Sequence, residues 1–152
     1  MSIRLLIADD FDALRENIKS FVSKQPDIEV VGEAKDGETA VELAKKLSPD
    51  VILMDISMPK LSGIEASENI LSNNAAARII ILSTRSDKRF VVAGLKAGVA
   101  GYVLKSSIFD DLLPAIRAVM ANEFFLSPQI KDVEIGDYTK QPPKTDDPVL
   151  GT

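Results

Sequence analysis

Hydrophobic and polar residues alternate along the chain in two patterns, short apolar runs and longer amphipathic stretches. The apolar runs cover residues 3–8, 28–34, 51–54, 78–82 and 101–104. Short runs of this kind are typical of strands buried on both faces of a parallel sheet. Between them apolar residues recur at helical spacing, and these stretches end at Pro26, Pro49 and Gly98, among other breakers. The pattern therefore predicts five strands that alternate with helices.

Alternating strands and helices favour an α/β fold with a doubly wound, five-stranded, mostly parallel sheet. The common flavodoxin-like (CheY-like) strand order is 2-1-3-4-5, which makes strands one and three neighbours. The first helix is predicted from the spacing of its apolar residues, which are Phe11, Leu14, Ile18, Phe21 and Val22. The periodicity decays beyond Ser127-Pro128, and we predict a folded domain over residues 1–126 and a linker or tail over 127–152.

Composition excludes several classes of function. The 152-residue chain contains neither cysteine nor histidine, which excludes disulfides, thiolate metal sites, histidine-ligated zinc and histidine general bases. Its formal net charge of −5 offers no basic face to nucleic acid or an anionic membrane. No apolar run approaches the roughly 20 residues that span a bilayer, and the N-terminus lacks the layout of a signal peptide. We therefore expect a cytoplasmic protein that makes no membrane contact.

Polar residues stand at the carboxyl ends of most predicted strands. Asp9 and Asp10 follow the first strand, Asp55 ends the third, Ser83 follows the fourth and Lys105 the fifth. In the predicted strand order the three acids converge, and carboxylates 4 Å apart repel by about 4 kcal/mol per pair at an effective dielectric of 20. Protonation of one acid or a hard divalent cation such as Mg²⁺ would relieve this repulsion.

A lysine and a hydroxyl beside such acids suit a phosphoryl group next to a metal. A carboxylate that attacks phosphorus forms an aspartyl-phosphate, and Asp55 is the candidate nucleophile. Taken singly, these residues have plainer interpretations: Asp10 suits the N-cap of the first helix, and Lys105 suits the surface. Tyr102 is as consistent with half-buried packing as with a functional role. The combination favours the phosphoryl site.

These residues and their spacing resemble the receiver domain of bacterial two-component response regulators, over about residues 3–122. The spacing from Asp55 to Ser83 is 83 − 55 = 28 residues, and that from Asp55 to Lys105 is 105 − 55 = 50 residues. The other matching features are Asp9-Asp10, Met58-Pro59, Gly63 and the stretch Gly101-Tyr102-Val103-Leu104-Lys105. The resemblance implies that Asp55 accepts the phosphoryl group from a phosphohistidine on a partner sensor histidine kinase.

The resemblance also implies roles for the surrounding residues. Asp10 and Asp55 would bind Mg²⁺ directly, Asp9 would bind it through water, and the Ser57 carbonyl would be a further ligand. Ser83 and Lys105 would bind the phosphoryl oxygens, and Tyr102 would be an aromatic switch that responds to Ser83. Ser57 and Arg85, each two residues past a site residue, would tune the lifetime of the phosphate. The expected consequence is a phosphorylation-dependent homodimer or the release of an output domain.

The subfamily is indicated by two further stretches, Leu82-Ser83 and Asn122 to Pro128, which look like the NarL/FixJ type. Members of that type carry a LuxR-type helix-turn-helix domain after a linker, so DNA would be bound only through a C-terminal domain that this chain does not contain. Alternatives are a stand-alone receiver, a receiver-like module that never takes phosphate, and an aspartyl-phosphate phosphohydrolase. The last would need an acid two residues after the nucleophile, where this chain has Ser57.

Overall fold

The computed structural model describes residues 2–130, which form alternating strands and helices. In chain order the elements are β1 (Ile3–Ala8), α1 (Asp12–Val22), β2 (Ile28–Ala34), α2 (Gly37–Leu47), β3 (Val51–Asp55), α3 (Gly63–Asn73), β4 (Arg78–Ser83), α4 (Lys88–Ala97), β5 (Gly101–Leu104), a 3₁₀ turn (Lys105–Ser107), α5 (Ile108–Met120) and β6 (Phe125–Leu126). None of the helices in this part of the chain is both long enough and apolar enough to traverse a bilayer.

The strands form one parallel sheet in the order β2-β1-β3-β4-β5-β6. The predicted order of the first five strands is confirmed, and β1 and β3 are neighbours. The structure adds β6, a strand of two residues in which Phe125 pairs with Gly101 and Leu126 with Tyr102. The carboxyl ends of β1, β3, β4 and β5 therefore meet along one edge of the sheet.

The core lies on both faces of this sheet because successive strand residues point to opposite sides. In β3, Ile52 and Met54 pack under α2, α3 and α4, whereas Val51 and Leu53 pack under α1 and α5. All four of these side chains are at most 1% exposed. This explains the unbroken apolar run that precedes Asp55, since a strand covered on both faces has no polar side.

The first helix differs from its prediction at the N-terminal end. Phe11 is not part of the apolar face: it is the N-cap residue of α1, its side chain is 62% exposed, and the helix begins at Asp12. The buried residues of α1 are Arg15, Ile18 and Val22. Asp10 precedes the N-cap position, so the interpretation of Asp10 as the helix cap is wrong.

The packed part of the chain continues past the end of β6. Ser127 is only 1% exposed, and its backbone N–H donates to the Tyr102 carbonyl at 3.0 Å. The boundary predicted between residues 126 and 127 thus assigned a buried, hydrogen-bonded residue to the linker. Residues 131–152 of the predicted linker lie outside the described residues.

Candidate functional site

Three carboxylates meet at the carboxyl edge of the sheet. Asp9 follows β1 and is fully buried, Asp10 is exposed, and Asp55 ends β3 with 4% of its surface exposed. One carboxylate oxygen from each residue lies within 4.8 Å of the others. The structure therefore brings together the three acids that the strand order predicts at this edge.

Lys105, the first residue after β5, reaches across to two of these acids. Its Nζ lies 3.0 Å from Asp9 Oδ2 and 3.1 Å from Asp55 Oδ1. Asp9 Oδ1 accepts the backbone N–H of Phe11 at 2.8 Å, whereas Asp9 Oδ2 accepts no well-oriented hydrogen bond from the described residues. Apart from its ion pair with Lys105, Asp9 Oδ2 has no partner among the described residues.

The electrostatics of the cluster follow from burial and from the proximity of like charges. Burial, together with the Asp9 carboxylate, raises the pKa of Asp55 to about 6, although Lys105 opposes the rise. Burial by itself lowers the pKa of the Lys105 ammonium, but Asp9 and Asp55 outweigh it and raise that pKa above its ordinary value. A single ammonium does not balance the three acids, so the site favours additional positive charge.

The donor set fits a hard divalent cation. It consists of carboxylate oxygens only, which Mg²⁺ prefers, and it includes the buried Asp9 Oδ2 that lacks a hydrogen bond. The loop after β3 borders the cluster: the Ser57 N–H lies 3.4 Å from Asp55 Oδ1, and the Ser57 side chain is exposed. Asp9, Asp10 and Asp55 are the residues that could hold the ion.

Gly63 allows the N-terminus of α3 to approach this strand end closely. Its N–H donates to the Ile56 carbonyl at 3.0 Å, and a Cβ added at this position would lie 2.1 Å from the Asp55 carbonyl oxygen. The helix start is fixed by a capping box in which Ser62 and Glu65 satisfy each other's backbone N–H groups. Only glycine permits this packing of backbone against backbone.

Ser83 and Tyr102 both form hydrogen bonds with the backbone of Arg85. The Ser83 Oγ accepts the Arg85 N–H at 2.8 Å, and the Tyr102 hydroxyl donates to the Arg85 carbonyl at 2.8 Å. Both side chains are fully buried, and burial raises the pKa of the Tyr102 phenol. The Arg85 guanidinium lies over the ring of Phe90, 5.1 Å from its centroid. Tyr102 is thus packed inside the domain next to Ser83 and is not half-exposed.

Arg15 supports the site and was missed in the sequence analysis. It is 6% exposed, and its guanidinium donates to the Asp9 carbonyl at 2.8 Å, to Asp12 at 2.7 Å and to Glu33 at 3.0 Å. These bonds hold the turn between β1 and α1 that carries two of the acids. Its burial could have been predicted from helical spacing, because Arg15 lies three residues before Ile18 and therefore on the buried face of α1.

Comparison with known proteins gives one family that covers most of the chain. The family model described as "Response regulator receiver domain" matches residues 5–117. The chain is 37% identical over 138 residues to the transcriptional regulatory protein DegU of Brevibacillus brevis, covering 91% of this chain and 58% of that protein. It is 40% identical over 129 residues to the nitrate/nitrite response regulator protein NarL of Escherichia coli (strain K12), covering 85% of this chain and 60% of that protein.

Solved structures agree with this result. A two-component response regulator of the LuxR family from Aurantimonas sp. SI85-9A1 superimposes with a TM-score of 0.82 at 35% identity, covering 86% of this chain and 93% of that structure. The chain spans 58% and 60% of the two curated relatives named above, so it corresponds to the receiver part of such proteins.

Proposed function

Because the chain belongs to the response regulator receiver domain family, and its relatives are of the NarL/LuxR type, we propose that it is a signalling switch whose phosphoacceptor is Asp55. The donor is the phosphohistidine of a sensor histidine kinase. The observation that carries the proposal is the position of Lys105 Nζ, 3.0 Å from Asp9 and 3.1 Å from Asp55 within a cluster of three acids. That arrangement suits an anion that arrives together with a metal.

The proposed transfer step uses these side chains. Asp10 and Asp55 would hold Mg²⁺ directly and Asp9 through water, with the Ser57 carbonyl as a further ligand by family resemblance, and the ion would neutralise charge on an incoming phosphoryl group. A carboxylate oxygen of Asp55 attacks phosphorus while the bond from phosphorus to the donor nitrogen breaks, and that nitrogen keeps the electron pair. The donor imidazole is supplied by the partner, because this chain has no histidine.

The response to phosphate runs through Ser83 and Tyr102. Lys105 and Ser83 bind the phosphoryl oxygens, and a Ser83 hydroxyl that turns toward phosphate gives up its bond from the Arg85 N–H. The Tyr102 hydroxyl is bonded to the carbonyl of the same residue, so the two changes are linked. The phosphoryl group biases an existing equilibrium in the packing of α4, β5 and α5, and the favoured state forms a homodimer.

The output is transcription control, through a C-terminal LuxR-type domain that binds DNA. This rests on the relatives, since both DegU and NarL are named as regulators and this chain covers only their receiver part. The location is cytoplasmic, where a sensor kinase presents its phosphohistidine. A stand-alone receiver is the alternative, and the open reading frame beyond Thr152 distinguishes the two.

The lifetime of the phosphate depends on Ser57 and Arg85. Ser57 is exposed beside Asp55, and the Arg85 side chain is exposed at the edge of the site. These side chains lie where water would approach the phosphoryl group on Asp55 to hydrolyse it. Replacing either with alanine should therefore change the half-life of the phosphorylated protein but not the stoichiometry of labelling. An unchanged half-life in both variants would contradict these roles.

Labelling by a small phosphodonor tests the central assignment. Wild-type chain incubated with acetyl phosphate and Mg²⁺ gains the mass of one phosphoryl group, whereas Asp55→Asn gains none. Glu68→Gln is the matched control, because it removes an exposed acid on α3 away from the site and should label like wild type. Labelling retained in Asp55→Asn, or independent of Mg²⁺, would overturn the assignment.

A further inference from the structure

A second buried polar cluster lies beside Lys105 and takes no part in the steps above. It consists of Ser107, Asp111 and Ser127, which are 9%, 8% and 1% exposed, and we refer to it as the Asp111 cluster. The hydroxyls of Ser107 and Ser127 both donate to Asp111 Oδ2, each at 2.7 Å. The cluster thus joins the 3₁₀ turn after β5, the first turn of α5 and the segment that follows β6.

Ser127 bonds to the end of β5 through both its backbone and its side chain. Its N–H donates to the Tyr102 carbonyl at 3.0 Å, and its Oγ accepts the N–H of Leu104 at 2.9 Å. Leu104 pairs with Ser83 of β4 but has no partner in β6, where pairing ends at Tyr102 and Leu126. On that side the Ser127 hydroxyl takes the place of a strand partner. Leu104 is the residue immediately before Lys105.

Asp111 fixes the direction of the Ser127 hydroxyl. A hydroxyl has one hydrogen, and donation to Asp111 leaves the Ser127 lone pairs for the Leu104 N–H. The buried Asp111 carboxylate accepts hydrogen bonds from two hydroxyls, and losing either bond would leave a buried charge poorly satisfied. The three side chains therefore stay together as a unit. The backbone that carries Lys105 is therefore held by a side chain that belongs to the segment after β6.

We propose that Asp111 and Ser127 are positioning residues for Lys105, and that they couple residues 127–130 to the phosphoryl group on Asp55. The proposal rests on the function proposed above. Lys105 Nζ contacts Asp9 and Asp55, and a phosphoryl group on Asp55 fixes Lys105 more firmly by adding an anionic partner. Since the Leu104 N–H is bonded to Ser127, a more ordered Lys105 stabilises the Asp111 cluster. Coupling of this kind is reciprocal, so the cluster strengthens phosphoryl binding by the same factor.

Amide hydrogen exchange of the full chain tests the coupling, with beryllofluoride and Mg²⁺ as the stand-in for the phosphoryl group. We expect beryllofluoride to slow exchange at least threefold at the Leu104 amide and at the amides of Ser127, Gln129 and Ile130, since Pro128 has no amide hydrogen. Ser127→Ala should abolish this slowing and weaken beryllofluoride binding at least threefold. Ser106→Ala is the matched control, because Ser106 lies in the same 3₁₀ turn and is exposed.

Asp111→Asn provides a second variant if Ser127→Ala does not fold, with Asp110→Asn as its exposed neighbour and control. The asparagine keeps the volume but loses the charge, so the slowing at the Leu104 amide should shrink while Asp110→Asn keeps it. A merely structural role would lower the melting temperature of the cluster variants and leave the beryllofluoride-dependent slowing intact, which would overturn the proposal.

A double-mutant cycle shows whether the effect runs through Lys105. If it does, Ser127→Ala should change beryllofluoride affinity less than 1.5-fold in a Lys105→Gln background, whereas an additive loss would contradict the proposal. Where binding in that background is too weak to measure, the exchange result decides. Wild-type chain that fails to bind beryllofluoride would overturn the proposed function, and binding without any slowing at residues 127–130 would overturn the coupling alone.

Discussion

Substitution of Gly63 tests how β3, which ends at the proposed phosphoacceptor Asp55, is held against α3. A Cβ at this position would lie 2.1 Å from the Asp55 carbonyl oxygen and 2.8 Å from the Ile56 Cα. Both neighbours are backbone atoms, which cannot rotate away as a side chain can. The substitution Gly63→Ala therefore requires α3 or the end of β3 to move.

The size of the effect can be worked from this geometry. Real Cβ contacts are rarely closer than 3.4 Å, so the overlap is 3.4 − 2.1 = 1.3 Å. Overpacking of this kind costs about 1–3 kcal/mol, and alanine at a helix start recovers less than the ~1 kcal/mol it gains in a helix interior. We expect Gly63→Ala to lower the free energy of unfolding by about 2 kcal/mol, a large part of a typical total of roughly 5–15 kcal/mol.

Gly94→Ala is the matched control. A Cβ at Gly94, within α4, would meet the Tyr102 ring at 3.5 Å and Val99 at 3.6 Å, which are ordinary contacts. Helix propensity then makes this variant more stable than wild type, by up to about 1 kcal/mol. The two glycine-to-alanine changes should therefore shift stability in opposite directions.

Urea unfolding followed by circular dichroism measures both variants. With a slope of about 1–3 kcal/mol per M, Gly63→Ala should lower the midpoint by roughly 1 M, and Gly94→Ala should raise it. Labelling of Asp55 by acetyl phosphate should also slow about ten- to a hundredfold in Gly63→Ala, because a shift near 1 Å misaligns the nucleophile. A midpoint for Gly63→Ala equal to that of Gly94→Ala would refute the reasoning.

Three further outcomes are expected. Arg15→Ala removes a guanidinium that is buried among charged partners and should destabilise by about 3 kcal/mol in urea unfolding. Lys19→Ala, which removes a half-exposed ion pair on the same helix, should cost much less. Tyr102→Phe loses only the bond to the Arg85 carbonyl and should cost about 1 kcal/mol, with a larger loss indicating a further partner of the hydroxyl. Mg²⁺ at 100 times its dissociation constant should add about 2.7 kcal/mol to wild type, measured as a rise in melting temperature, and Asp10→Asn should abolish most of that rise.

The strand order and the acid cluster could be predicted from the sequence because both follow from local patterns. Short apolar runs predict the strands, and parallel strands place their last residues at one edge of the sheet. Asp9, Asp55 and Lys105 could therefore be assigned to the same edge from the sequence. Phe11 was misassigned because helical spacing extends an apolar face past the point at which the helix begins. An apolar N-cap residue such as Phe11 therefore cannot be distinguished by spacing from a residue in the first turn of the helix.

What the sequence could not predict depends on contacts between distant elements. β6 has two residues, which is too short for any period to appear. Without β6 nothing indicates that Ser127 is buried, and Asp111 then looks like one of two acids in the first turn of α5. Arg15 is similar, because a buried arginine is stable only with partners from elsewhere, here the Asp9 carbonyl and Glu33 on β2.

The distribution of the phosphoryl site over the chain has a consequence for biosynthesis. Asp9, Asp55 and Lys105 come from β1, β3 and the end of β5, so the shortest segment that contains all three spans 105 − 9 + 1 = 97 residues. Parallel pairing between distant strands is slow, because the chain must lose the entropy of loop closure before the stabilising contacts form. A chain still emerging from the ribosome, or one folded only through β4, lacks the lysine of the site. The proposed phosphorylation of Asp55 therefore requires a nearly complete domain.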